Sequence, residues 1–361
     1  MASHFLSSYI GINMKKTLVS LILGLTLSSA TYAETWKFAS EEAKNDVQDI
    51  YAQKFAEVIK KESEGDIKVR IYYYGQLGTE NDIVELASNG TIQFVSVGAG
   101  HIGSYIPEIQ ALSLPYLLNA DEKAVHEVLT NSKSIYDGLS PKFEAVNLKL
   151  LSMMSEGDMV WGANKPIHTP ADFENVKIRT FTSAIPTETY KVFGATPTPL
   201  SWGEVYGALQ LGTVDAMVNP IYFIYNAKWH EVQDYLIFPG QQPYISTVSA
   251  SSKWFNNLSS EKKTMVNKAI TAADKAAFDY QVRINSENMV KIREESPDLK
   301  VIRLNEEERG QFIELSKSLH DTYFDLVANT YPESEQTAAR QNAKDIIDNL
   351  QAEIKAAAKN L

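Results

Sequence analysis

Arg179 is the residue whose setting most needs a chemical reason. It lies in the run "NVKIRTFT" (175–182), between Ile178 and Phe181. An unpaired charge near the end of a buried strand is very costly, so this arginine needs a partner. Its planar fork suits a carboxylate bidentately. Composition alone leaves the source of that carboxylate open: an acid of the protein, or a ligand. Asn219-Pro220 ends a second apolar run, and polar residues at the carboxyl ends of strands are where open α/β sheets place ligand contacts. Tyr222 and Phe223 follow at once, and Trp202 stands just after a helix-capping serine. These rings, with Trp161, offer faces for stacking on a ligand or for filling core.

Other chemistries find less support. Gly98-Ala-Gly-His-Ile-Gly103 matches G-x-G-x-x-G after a strand, but a dinucleotide site needs a helix opening at the glycines. Pro107 follows four residues later and interrupts such a helix, so a glycine-rich turn lining a cleft is the expectation. His101, His126, His168, His230 and His320 show neither H-x-H nor H-E-x-x-H spacing, and there is no G-x-S-x-G elbow, P-loop or EF-hand loop. The chain has no cysteine, which excludes disulfides, thiol nucleophiles, zinc–thiolate sites and iron–sulfur clusters. No cofactor and no metal are expected. A periplasmic hydrolase on a similar α/β frame is the rival from another class, and it lacks a nucleophile or metal motif.

The 361 residues suggest about two domains. A net charge of −11 argues against nucleic acid or an anionic membrane surface as partner, since those need a basic stripe. Lys15 and Lys16 precede the apolar run 17–27 and the small-residue exit Ala30-Thr-Tyr-Ala33. That is the pattern of an export signal cleaved after Ala33, with Met14 as the start and residues 1–13 as an upstream extension. The run is short of the ~20 apolar residues that a membrane anchor needs. A soluble, exported, monomeric protein is expected.

The remainder alternates strands and helices. Trp36-Lys-Phe38 reads as a strand, 46–62 as an amphipathic helix, and 67–73 and 91–97 as strands. Thr79 with Asp82 and Ser201 with Glu204 are helix-start signals. Segments 176–180 and 213–218 repeat the grammar, which predicts an α/β protein of two similar lobes. Residues 259–295 hold no proline or glycine and form one helix of about 55 Å at roughly 1.5 Å per residue, long enough to cross both lobes. The expected division is 34–156 plus about 245–280 in lobe I. Lobe II takes 157–244 plus about 281–361, with the C-terminal helices.

The segments "FENVKIRTFTSAIPTETYKVFGATPTPLSWGEVYGALQLGTVDAMVNPI" and "GQLGTENDIVELASNGTIQF" resemble the DctP-type solute-binding proteins of TRAP transporters. "EEAKNDVQD", "TETYKVFGATPTPL", "WGEVYG" and "NPI" look most like the ectoine/hydroxyectoine-binding branch. The resemblance covers essentially the whole chain after the leader. It implies a two-lobe, type II-like periplasmic binding fold, and a binding protein rather than an enzyme. Such a protein captures a small organic acid between its lobes and delivers it to the small and large membrane subunits of a TRAP permease, or docks a receptor instead. By position, Arg179 would clamp the ligand carboxylate and Asn219 would hydrogen-bond the same end. Glu42 would meet a cationic amidinium, and Trp202 and Phe223 would form aromatic walls. Four positions depart from the pattern of the wider family or of that branch. Met159 stands where many members have a second arginine. His101 replaces an aromatic wall residue and Trp161 a small side chain, which would favour another small carboxylate or a sulfonate. Val218 occupies the place of an acidic metal ligand in the 2-oxo acid binders.

Overall fold

The computed structural model describes residues 33–359. The export signal expected over residues 1–33 therefore lies, but for Ala33, outside the described residues. Four strands open the chain: β1 (Glu34–Ser40), β2 (Ile67–Tyr72), β3 (Phe94–Gly98) and β4 (Leu148–Asp158). Five more follow: β5 (Val160–Ala163), β6 (Lys177–Thr180), β7 (Thr196–Pro199), β8 (Ala216–Asn219) and β9 (Tyr235–Phe238). The last two are β10 (Pro243–Ser251) and β11 (Lys300–Arg303). They form two sheets, ordered β2-β1-β3-β10-β4 and β11-β9-β5-β8-β6-β7. In the first sheet β1 runs parallel to β2 and β3, and β10 is antiparallel to β3 and β4. In the second, β6 is parallel to β7 and β8, and β5 is antiparallel to β8 and β9. Every residue of β3 and β10 is buried, as central strands covered on both faces must be.

The helices, in chain order, begin with α1 (Val47–Glu62), α2 (Glu80–Ser88), α3 (Ala99–Ile102), α4 (Glu122–Asn131) and α5 (Lys133–Ala145). Next come α6 (Ala184–Val192), α7 (Val205–Gln210), α8 (Ile221–Asn226) and α9 (Ser252–Asn256). The chain ends with α10 (Ser260–Glu295), α11 (Glu306–Ser316), α12 (Ser318–Ala328) and α13 (Glu333–Ala357). Each lobe is one sheet with its covering helices. The chain passes between the lobes through the break at Met159 and through residues 239–242. The Met159 N–H donates to the Gln242 carbonyl at 2.9 Å, so these two strand crossings are bonded to each other.

The third crossing is α10. Its first half buries Val266, Ala269, Ile270, Ala273 and Ala277 in a cluster with Tyr51, Phe55 and Ile59 of α1. Near its end, Ile292 packs with Ile221, Ile224 and Trp229 of the second lobe. One backbone thus carries apolar faces for two different cores.

The C-terminal helices require a correction. They were expected on the second lobe, but α13 lies on the first. Its Ala343, Ile346, Ile347, Leu350 and Ile354 share a core with Val125, Val128 and Leu129 of α4 and Ile135, Leu139 and Phe143 of α5. Leu319, Tyr323 and Val327 of α12 join the same cluster. The apolar face of α13 is readable from its spacing. Which surface it covers is set by the empty apolar side of α4 and α5.

Candidate ligand-binding site

Strand ends from both lobes converge on one cavity. Glu41 directly follows β1, and His101 sits on α3 directly after β3. Arg179 lies on β6 and Asn219 ends β8. With Glu80, Phe181, Trp202, Phe223 and Tyr244 they surround a narrow space.

Arg179 is fully buried. Its Nε donates to the Leu200 carbonyl at 3.0 Å and one terminal nitrogen donates to Asn219 Oδ1 at 2.9 Å. Its guanidinium carbon lies 4.7 Å from the centre of the Phe181 ring, which fixes the plane of the fork. The other terminal nitrogen, Nη2, has no partner among the described residues. Burial lowers the Arg179 pKa to about 10, opposed by the nearby Glu80 carboxylate, so the group stays charged at neutral pH.

Two more buried polar atoms on lining residues lack partners among the described residues: Trp202 Nε1 and Glu41 Oε2. The other oxygen of Glu41 accepts from the Gly98 N–H at 2.7 Å, the Tyr244 hydroxyl at 2.6 Å and Gln48 Nε2 at 3.2 Å. Burial nevertheless pushes the Glu41 pKa up to about 8, against those hydrogen bonds and with help from Glu80 and Glu156. His101 is buried and neutral. Loss of solvation takes its pKa down to about 4, and Arg179 adds to the effect against Glu80. Its Nδ1 lies 3.2 Å from Thr182 Oγ1 and its ring meets Phe181 edge-on at 5.2 Å. Phe223 packs against Tyr244 at 5.7 Å and Trp202 at 6.3 Å.

The glycines of the Gly98–Gly103 run find their reason here. A Cβ on Gly98 would lie 2.0 Å from the Tyr244 hydroxyl oxygen, and one on Gly100 would lie 2.9 Å from the Phe181 ring. The run therefore serves close approach of walls, as the interrupted helix led one to expect.

Arg179, Asn219, Trp202, Phe223 and His101 come together in the cavity lining. Glu42 and Tyr222 stand outside that lining, in a network that Gln48 links to Glu41. The Tyr222 hydroxyl lies 2.6 Å from Glu42 Oε1 and also donates to Glu156, while the Gln48 N–H donates to Glu42 Oε2 at 2.7 Å. Burial raises the Glu42 pKa well above the usual range, and the neighbouring Glu156 carboxylate raises it further. Met159 lines an adjoining cavity with Phe181, Val218, Gln241 and Tyr244. Trp161 is core. Its ring packs on Phe173 at 5.0 Å and Phe312 at 5.2 Å, and its Nε1–H donates to Gln241 at 2.9 Å.

Sequence reasoning missed Glu41, Glu80, Phe181 and Tyr244 as lining residues. The Thr79–Asp82 capping box places Glu80 at a helix start. It is buried, and the N–H of Trp202 from the other lobe donates to Glu80 Oε1 at 3.0 Å.

The comparisons with known proteins agree with this architecture. The family DctP, described as bacterial extracellular solute-binding protein, family 7, matches residues 38–326. The ectoine/5-hydroxyectoine-binding periplasmic protein UehA of Ruegeria pomeroyi is 36% identical over 308 residues, covering 85% of this chain and 90% of that protein. The ectoine-binding periplasmic protein TeaA of Halomonas elongata is 36% identical over 337 residues, covering 93% and 94%. A solved structure of the periplasmic ectoine-binding protein of the Halomonas elongata TeaABC TRAP transporter superposes with a TM-score of 0.83 at 36% identity, covering 90% of this chain and all of that one. With a two-lobe α/β frame and a buried arginine at the cleft, the chain belongs to the DctP family of TRAP-transporter solute-binding proteins.

Proposed function

We propose that this protein captures a compact zwitterion of the ectoine type, a carboxylate joined to a ring amidinium, between its lobes in the periplasm. It then delivers this solute to the membrane subunits of a TRAP permease, acting as a monomer and without chemical turnover. The observation that carries the reading is the set of three buried polar atoms on the lining without partners among the described residues: donors at Arg179 Nη2 and Trp202 Nε1, and Glu41 Oε2, an acceptor once Glu41 is ionised. A buried polar group without a partner costs free energy, so these atoms favour a ligand offering an anion to one end and a cation to the other. Trp202, Phe223, Phe181 and Tyr244 supply faces for the ring between. The family resemblance put the cation contact at Glu42; the cavity favours Glu41, with Glu42 backing it. The relatives named for ectoine support the same choice.

A second reading has its own observation. With a pKa of about 8, Glu41 is largely protonated at neutral pH and could face a simple 2-oxo acid, hydroxy acid or sulfonate without repulsion. The two readings separate in a thermal-shift panel on unfolded and refolded protein, with ectoine, hydroxyectoine, small 2-oxo and hydroxy acids and C2 sulfonates. A ligand at about a hundred times its dissociation constant adds about 2.7 kcal/mol of stability. A shift with the simple acids alone would overturn the zwitterion reading. Recovery of the ligand unchanged after incubation checks the absence of turnover.

A further inference from the structure

Two turns face each other across the mouth of the cleft. On the first lobe the turn between β2 and α2 carries Tyr74 and ends at Glu80. On the second lobe the turn after β7 enters α7 through Trp202–Glu204, a 3-10 turn capped by Ser201 and Glu204. The first N–H groups of a helix have no partner within it and must find one outside. Here they find it on the other lobe. The Trp202 N–H donates to Glu80 Oε1 at 3.0 Å, and the Gly203 N–H donates to the Tyr74 hydroxyl at 3.1 Å. The Tyr74 ring meets the Trp202 ring edge-on at 5.1 Å. Gly203 is required by this approach, because a Cβ there would lie 2.7 Å from the Tyr74 hydroxyl oxygen.

We infer that Tyr74 and Glu80 form a clasp that holds the lobes shut by taking the two backbone N–H groups of Trp202 and Gly203. The inference rests on the proposed binding function and adds a positioning device to it. Trp202 couples the two parts, since its ring lines the ligand cavity while its backbone N–H is gripped by Glu80. A ligand that seats the Trp202 ring therefore presents both N–H groups to the clasp. In the open protein water would replace these bonds, so the clasp acts on the lifetime of the closed complex rather than on encounter. Tyr74 lies outside the cavity lining and acts through Trp202 and Gly203.

The test uses refolded protein with ectoine as probe. Stopped-flow tryptophan fluorescence gives the association and dissociation rates, and hydrogen exchange follows the amides of Trp202 and Gly203. Tyr74→Phe removes one hydroxyl and keeps the ring. It should leave the association rate unchanged, raise the dissociation rate about two- to tenfold, as expected for one neutral hydrogen bond, and speed exchange at Gly203. Gly203→Ala, which pushes Tyr74 aside, should raise dissociation further at an unchanged thermal midpoint of the ligand-free protein. An unchanged dissociation rate and unchanged Gly203 exchange in Tyr74→Phe would overturn the clasp. If ectoine fails to bind even the wild type, the ligand assignment falls by itself. The clasp is then decided in the complex with whichever acid of the panel raises the wild-type thermal midpoint: faster exchange at Gly203 in Tyr74→Phe supports it, and equal rates reject it.

Discussion

Arg179 and Asn219 are joined by a 2.9 Å hydrogen bond that uses one terminal nitrogen of the guanidinium, leaving the other without a partner among the described residues. The neutral amide orients the fork without neutralising it. A protein carboxylate in the same place would have satisfied the arginine and closed it to an acidic ligand.

Arg179→Ala should therefore raise the dissociation constant for any carboxylate ligand by at least about tenfold, and about a hundredfold if both ends of the fork are used, at 1.5–3 kcal/mol per charge-assisted bond. Titration calorimetry measures the loss and circular dichroism checks the fold. Near-normal affinity in a folded variant would make the arginine purely structural.

Glu41→Gln and Glu42→Gln should differ. Glu41 lines the cavity and Glu42 is engaged by Tyr222 and Gln48. For ectoine, Glu41→Gln should weaken binding by ten- to a hundredfold, and Glu42→Gln by less than about fivefold. The opposite order in calorimetry would transfer the cation contact to Glu42.

Ectoine binding should also release a proton near neutral pH. Free Glu41 holds its proton up to about pH 8, and a bound cation favours the ionised form. Affinity should then rise with pH from 6 to 8, approaching tenfold per unit, and the heat of binding should depend on the buffer's ionisation enthalpy. Affinity that falls over that range would show that Glu41 meets no cation.

Stability of the ligand-free protein should fall as pH rises from about 6.5 to 8. The carboxyl pKa values of Glu41 (about 8) and of Asp46 and Asp274 (each about 7) are raised by burial, and that of Glu42 is raised well above its usual range. The folded state thus binds more protons than the unfolded chain there, which makes the slope of stability with pH negative. His101, His126, His230 and His320 have lowered pKa values and act oppositely, but their influence ends near pH 6.5, where the unfolded imidazole titrates. Thermal midpoints across pH 6.5 to 8 check the sign, and a rising midpoint would contradict it.

Leu350→Ala should destabilise the first lobe by about 2–5 kcal/mol, the usual range for truncating a buried leucine. Leu350 is fully buried against α4 and α5. Hydrogen exchange should localise the loosening to α4, α5 and α13. Loosening confined to α11 and the second sheet would place the C-terminal helix wrongly.

Much of this protein is legible from residue order because its signals are local. The helix expected over 259–295 is Ser260–Glu295, and the strand expected at 176–180 is Lys177–Thr180. Spacing of apolar residues and the absence of proline and glycine determine such elements without reference to the rest of the chain. Arg179 and Asn219 were legible for a related reason: a fork and an amide in apolar strands demand an explanation wherever the strands go. The neighbouring carboxylates were not. Glu41 and Glu42 are adjacent in an irregular segment after β1, where no period says which one faces the cavity. Trp161 carries the same ring as Trp202, yet one fills core beside Phe173 and Phe312 while the other lines the cavity. The apolar face of α13 could be read, but not that it lies on α4 and α5. Those choices were made by tertiary structure, because burial of a side chain depends on surfaces brought from distant parts of the chain, and those surfaces exist only once both lobes have formed.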